Sequence, residues 1–389
     1  MATTKVSGEL VDLNESTSES GLKMPSGTEA NRPTPVAGQI RNNTNETSAS
    51  SASCMEYYKS GAWQKINNVP LPPEFGIALY DGNSSTNNIT GLGFAPDWVW
   101  IKERGPSSEQ SNLYDTSRGV QKFIVSNSTA AEVTGSSNRL NAFGSDGFTV
   151  GSDNEINDSG STYVAWCWKA NGGTTSSNGN GSITSTVQAN DAAGFSIIQY
   201  TGANSSGTGT FGHGLSTAPS VFIIRDLENN SNWIVWASAF GDVTKNLQLQ
   251  STSSLFSSNI ANSTAPSSTV ISISADNDVN NDGKAYICYA FADVSGYSKF
   301  GTYSGTGSSN PITGLGFQPQ YVMIKSTTSS EDWAIFDASR GANLFLTANT
   351  TSADQSFSGF SFDTDGFTVP STSGMTNGSG QTYFYMAFK

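Results

Sequence analysis

The side chains able to do chemistry are few and scattered. His213 is the only histidine among 389 residues. It stands in a glycine-rich stretch, Phe211-Gly212-His213-Gly214. A nucleophilic relay needs a Ser or Cys nucleophile and an orienting carboxylate beside the ring. No Gly-x-Ser-x-Gly elbow is present, so His213 is expected to be a turn residue or a weak surface contact. Asp115 with Arg118, and Asp337 with Arg340, are each three residues apart, just before Gly119 and Gly341. That spacing fits a charge-assisted bond bracing a tight turn. A glycosidase would need a second acid facing the first, and repetition of a single pair favours architecture. Asp276, Asp278, Asn280 and Asp282 alternate oxygen ligands as calcium loops do. Position twelve of that stretch is Ile287, however, so the EF-hand pattern fails and a solvated hairpin loop is the preferred reading, with calcium as the alternative. No other cofactor is implied. The eight tryptophans and thirteen tyrosines invite sugar stacking. Trp98, Trp100, Trp166 and Trp168 sit in strand-like runs where aromatics fill cores or interfaces, which leaves Trp233 as the better candidate.

Composition sets the elements that must position these groups. Charged residues are 13% and hydrophobic residues 35% of the chain, with abundant Gly, Ser, Thr and Asn. This suits short strands joined by polar turns better than helices. The net charge is -13 with no Lys/Arg cluster, which excludes phosphate neutralisation and hence nucleic-acid binding. No apolar run approaches the ~20 residues of a membrane span, and the polar N-terminus has no secretory h-region. Membrane insertion and export are therefore not expected. Cys54, Cys167 and Cys288 form no CxxC pair, so neither a disulfide framework nor zinc is expected, and Cys54 reads as an exposed thiol.

Internal repetition dominates the rest. Gly91-Leu92-Gly93-Phe94-Ala95-Pro96 returns as Gly314-Leu315-Gly316-Phe317-Gln318-Pro319, each followed by an apolar run ending in Ile-Lys. The Asp-x-Ser-Arg-Gly turns at 115–119 and 337–341 follow, then Asp-Gly-Phe-Thr-Val at 146–150 and 365–369. Each copy closes on an aromatic strand, Thr162 to Lys169 and Thr382 to Lys389. A divergent copy lies between them, from Gly214-Leu215 through Val221 to Arg225 and Trp233 to Trp236, closing on Ala285 to Phe291. There Ala237 and Phe240 stand where the others carry Asp and Arg.

The expected fold is all-β: three tandem β-sandwich domains, jelly-roll or lectin-like, after a small N-terminal β-meander. Residues 1–72 form the attachment or oligomerisation segment; 73–172, 194–297 and 298–389 are the sandwiches; 173–193 is a linker or surface loop. The closing strands, apolar on both faces, must pack inside a sandwich on one side and against a neighbouring unit or chain on the other. The first segment is read as three short strands that need a partner, with Ile40, Tyr57, Tyr58 and Trp63 as docking residues.

The run Pro25-Ser26-Gly27-Thr28, Arg32-Pro33, Gly38 to Thr44, Glu56-Tyr57-Tyr58 and Gly61-Ala62-Trp63 resembles a small module of tail-fibre and other virion proteins of tailed phages. The repeat motifs Gly91 to Lys102, Asp115 to Gly119, Asp146 to Val150 and Ser161 to Lys169 resemble a domain of unassigned function in virion proteins of marine and cyanobacterial phages. The resemblance implies a virion component without saying which part of the particle; with no catalytic constellation among the residues, the expected role is non-enzymatic, tail-fibre-like or tail-attached, in a protein assembled in the host cytoplasm. A capsid decoration or head fibre and a carbohydrate-binding adhesin are the alternatives, and a polysaccharide depolymerase is the enzyme reading, which the lack of an identifiable acid pair disfavours. Its expected partners are other virion proteins, copies of itself in a homo-oligomer (a trimer by the resemblance) and a host surface glycan.

Overall fold

Runs rich in β-branched and aromatic residues, bounded by Gly, Asn, Asp and Ser, make short strands and tight turns, and strands dominate the computed structural model. It describes residues 26–27, 40–43, 54–59, 62–65, 74–106, 109–370 and 373–389. The chain divides into two units, Met1–Leu71 and Pro72–Lys389.

In the first unit the described strands number four rather than the expected three: Ser26–Gly27, Ile40–Asn43, Cys54–Lys59 and Ala62–Lys65. The register pairs Ile40 with Tyr57 and Tyr58 with Trp63. The rest of the 1–72 segment, including Arg32-Pro33, lies outside the described residues.

In the second unit each sequence copy builds one large and one small antiparallel sheet. In the first copy, six strands lie in the order Val133–Thr134, Lys122–Val125, Asn112–Asp115, Trp98–Glu103, Thr162–Trp168, Phe75–Asp81. A three-stranded sheet of Leu140–Gly144, Gly147–Val150 and Asn87–Thr90 faces it. The last copy repeats this arrangement, with Thr382–Phe388 between Ser298–Ser304 and Tyr321–Ser326. In the middle copy Ala285–Phe291 lies between Phe195–Thr201 and Val221–Asp226, in a sheet of eight strands. Two of those eight come from the stretch read as a linker: Ser185–Asn190 pairs onto Phe195–Thr201, and Ser176–Asn178 pairs onto Ser185–Asn190. Its polar composition hid the alternation that places Ser185 and Val187 in buried positions. Polar residues suffice there because the added strand is held mainly by backbone hydrogen bonds.

Period-two alternation divides each closing strand between two cores. Tyr163, Ala165 and Cys167 face the core between the first copy's own two sheets. Val164, Trp166 and Trp168 face a second core shared by the large sheets of all three copies. Trp98 lies 4.4 Å from both Trp168 and Tyr289, and Phe388 lies 5.4 Å from Phe75 and 5.7 Å from Phe291 (ring centroids). Aromatics from the first, middle and last copies thus meet in one place, around an apolar cavity of only about 10 Å³. The neighbour required by the second apolar face is another repeat of the same chain.

Candidate functional site

The two aspartate–arginine pairs singled out by spacing lie at junctions between copies. Asp115 is fully buried; its Oδ1 accepts the Arg118 backbone N–H at 2.8 Å and its Oδ2 accepts Arg118 Nε. The turn is braced, and the brace reaches the middle copy, because Tyr289 O–H donates to Asp115 Oδ2 at 2.7 Å. Burial alone would lower the Arg118 pKa, but its acceptors together, Asp115 foremost with Glu132 and Tyr289, outweigh it and hold the guanidinium charged. Burial pushes the Tyr289 phenol well up, so it stays a neutral donor. The last copy repeats the pattern onto the first: Asp337 accepts from Arg340 and from Trp166 Nε1 at 2.9 Å. In the middle copy Ala237 and Phe240 replace the pair. Their neighbour is the last copy's closing strand, where Phe240 meets Phe384 edge-on at 5.2 Å. That strand carries Met386 in line with Trp166 and Tyr289. Methionine offers no N–H or O–H, so a buried aspartate there would lack this donor. The middle copy's departure follows from its neighbour's side chain.

The same junction recurs in the backbone. Glu132 N donates to Leu227 O at 2.8 Å, Leu255 N to Thr327 O at 3.0 Å, and Asp354 N to Arg104 O at 3.0 Å. First binds middle, middle binds last, and last binds first, so the repeats form a closed head-to-tail ring. The cation ending each apolar run adds a bond in the opposite sense. Lys102 Nζ donates to Thr350 O at 2.7 Å, Lys325 Nζ to Thr252 O at 3.1 Å, and Arg225 to Thr129 O and Ala130 O. Burial lowers both lysines to a pKa of about 8. Arg104 and Asp354 add an ion pair at 2.8 Å where last meets first.

Asp276, Asp278, Asn280 and Asp282 flank and form a one-turn helix, Asn277–Asn280, in place of the expected hairpin loop. Asp276 caps the helix at the Asp278 N–H; Asp278 accepts from Ser231 and Asn232; Asp282 accepts from Ser205. Asn280 is fully buried, donating to Gly207 O and Ser274 O and accepting from Ala203 N. The four face different protein partners, and among the described residues no group of three or more His, Cys, Asp or Glu could hold a metal ion. Sequence reasoning missed what this helix does in every copy. Asn157 and Asn377 make the same three kinds of bond as Asn280. Tyr163, Tyr286 and Tyr383 each donate to the helix's first carbonyl and accept an N–H just past its end. The signal was available as a triplicated Asn three or four residues into a polar loop and six residues before a Tyr.

The remaining candidates are also internal. Asp146 and Asp365, at the Asp-Gly turns, accept from Gly91 and Gly93 and from Gly314 and Gly316, which explains why the two motifs recur together. His213 is not a surface turn residue: its side chain is buried, Nδ1 accepts from Leu215 N at 3.2 Å, and Nε2 lies 3.1 Å from Ser267 O. Both nitrogens are engaged and burial lowers its pKa, so the ring is neutral. Trp233 is fully buried, with Nε1 donating to Val125 O at 2.9 Å, so it offers no face to a sugar. Cys167 and Cys288 are buried free thiols. No helix among the described residues is long and apolar enough to cross a membrane.

No curated protein and no solved structure matches the chain. One family model does, over residues 74–389, and it takes in all three copies and the junctions between them as one domain. With most of its length inside that match, the chain belongs to the family described as a domain of unknown function, DUF7483.

Proposed function

We propose that the protein is a non-catalytic structural component of a tailed-phage particle, tail-fibre-like or tail-attached. In this reading residues 1–72 attach it to other virion proteins, and three sandwich-like modules form one ring-closed body that contributes to assembly and host attachment. The observation that carries the structural part is where the chemically capable side chains lie. Asp115, Asp337, Arg118, Arg340, Lys102 and Lys325 are buried in contacts between repeats, where they brace the body and are withheld from any substrate. The phage assignment rests on the sequence motifs. Mass spectrometry and antibody labelling of purified particles test it: the protein should be present in stoichiometric amount at a fixed position on the tail. Absence from washed particles rejects the reading, and label on the head moves it to the capsid.

A further inference from the structure

The first strand of each repeat treats its outer edge differently. In the middle copy the backbone groups of Ile197 and Gln199 point outward and are covered by Ser185–Asn190. In the last copy the corresponding edge is guarded: Asp293 Oδ1 accepts the Phe300 N–H at 2.9 Å, and Lys299 pairs with Asp293. In the first copy, Gly82 N bonds Ser161 O and Lys169 N bonds Glu74 O, which fixes the even-numbered residues as those facing Thr162–Trp168. Ile77 and Leu79 therefore turn their N–H and C=O outward, and no described strand pairs with them. From Phe75 to Tyr80 this edge has no charge and no proline. Leu79, 40% exposed, is one of three exposed large hydrophobics among the described residues. Sheet edges left without such guards pair with further strands.

We propose that this edge is an interaction site for a second copy of the chain, the two Phe75–Asp81 strands pairing antiparallel about a two-fold axis through Ala78. The middle copy shows that a strand fits this side of the sheet, and the strand's own sequence selects the occupant. The two-fold register sets Ile77 opposite Leu79 of the second copy, both with outward-facing backbone groups, so the ladder closes. On the other face it sets Gly76 opposite Tyr80 of the second copy, an aromatic beside a glycine. The apolar pair, used twice, gives a self-matching interface, while Leu92 and Phe94 of the same chain already cover Gly76. The proposal is independent of a virion role.

Sedimentation of the full-length chain tests it. The expected result is a concentration-dependent dimer that Leu79→Lys weakens at least tenfold while the circular dichroism spectrum is unchanged. In a Cys54→Ser background, Ala78→Cys should give a disulfide-linked dimer on mild oxidation, because opposed residues of a non-hydrogen-bonded pair have Cα atoms about 4.5 Å apart. A chain that stays monomeric up to near-millimolar concentration, an oligomer whose strength Leu79→Lys leaves unchanged, or absence of the Ala78→Cys cross-link overturns the proposal.

Discussion

Tyr289 and Trp166 each donate one hydrogen bond to a buried aspartate of another repeat. Tyr289→Phe keeps the ring and deletes the donor to a charged acceptor, so it should cost about 2 kcal/mol in denaturant unfolding. Ala237→Asp is the converse. It places a carboxylate where Phe240 and Met386 offer no partner, and it should cost about 3 kcal/mol or more; a neutral outcome would remove the explanation given for the middle copy. The lysines set a pH dependence. Lys102 and Lys325 have folded pKa values of about 8 against an ordinary 10.5, so between those limits the unfolded chain binds more protons. Their contribution to stability therefore rises from about pH 8 to 10.5. Above about pH 10 the buried tyrosines, pushed up by burial, act in the opposite sense. Unfolding free energy measured against pH should show the rise, and Lys102→Met should reduce its slope.

The one-turn helix is the element that ties each large sheet to its loops. A four-residue helix has too few internal hydrogen bonds to stand alone, so Asn157, Asn280 and Asn377 hold these turns from outside. Asn280→Ala would strand two carbonyls and one N–H in a buried site and should cost about 3 kcal/mol. The chain comes closest to the helix end at a glycine in every copy. A Cβ on Gly202 would lie 2.2 Å from Asn281 O, and those on Gly82 and Gly305 would lie 2.0 and 2.2 Å from the matching carbonyls. Gly202→Ala should therefore destabilise by more than 2 kcal/mol, and calorimetry of the pair of variants would separate loss of bonds from steric overlap.

Over the whole molecule the ring has a thermodynamic consequence. Separate tandem modules would unfold one by one. Here Trp98, Trp168, Tyr289, Phe291, Tyr321 and Phe388 share one core, so losing any repeat exposes the aromatic faces of the other two. Residues 72–389 should unfold in a single calorimetric transition, and a chain ending at residue 297 should bind a hydrophobic dye or aggregate. Three resolved transitions, or a truncated chain with unchanged melting behaviour, would contradict this.

The sequence alone determined the all-β class, the three copies and the two-faced burial of the closing strands, because alternation and motif spacing are local properties written into consecutive residues. It also exposed Asp115–Arg118 and Asp337–Arg340 as turn pairs, since three-residue spacing is local. Only the tertiary structure decided that the second face meets another copy of the same chain, that Tyr289 and Trp166 donate to those aspartates, and that the 173–193 stretch read as a linker or surface loop carries the strands Ser176–Asn178 and Ser185–Asn190. Those contacts join residues more than a hundred positions apart or depend on backbone hydrogen bonds, which carry no side-chain signature. His213 and Trp233 were misplaced at the surface for the same reason: their burial comes from segments distant in sequence.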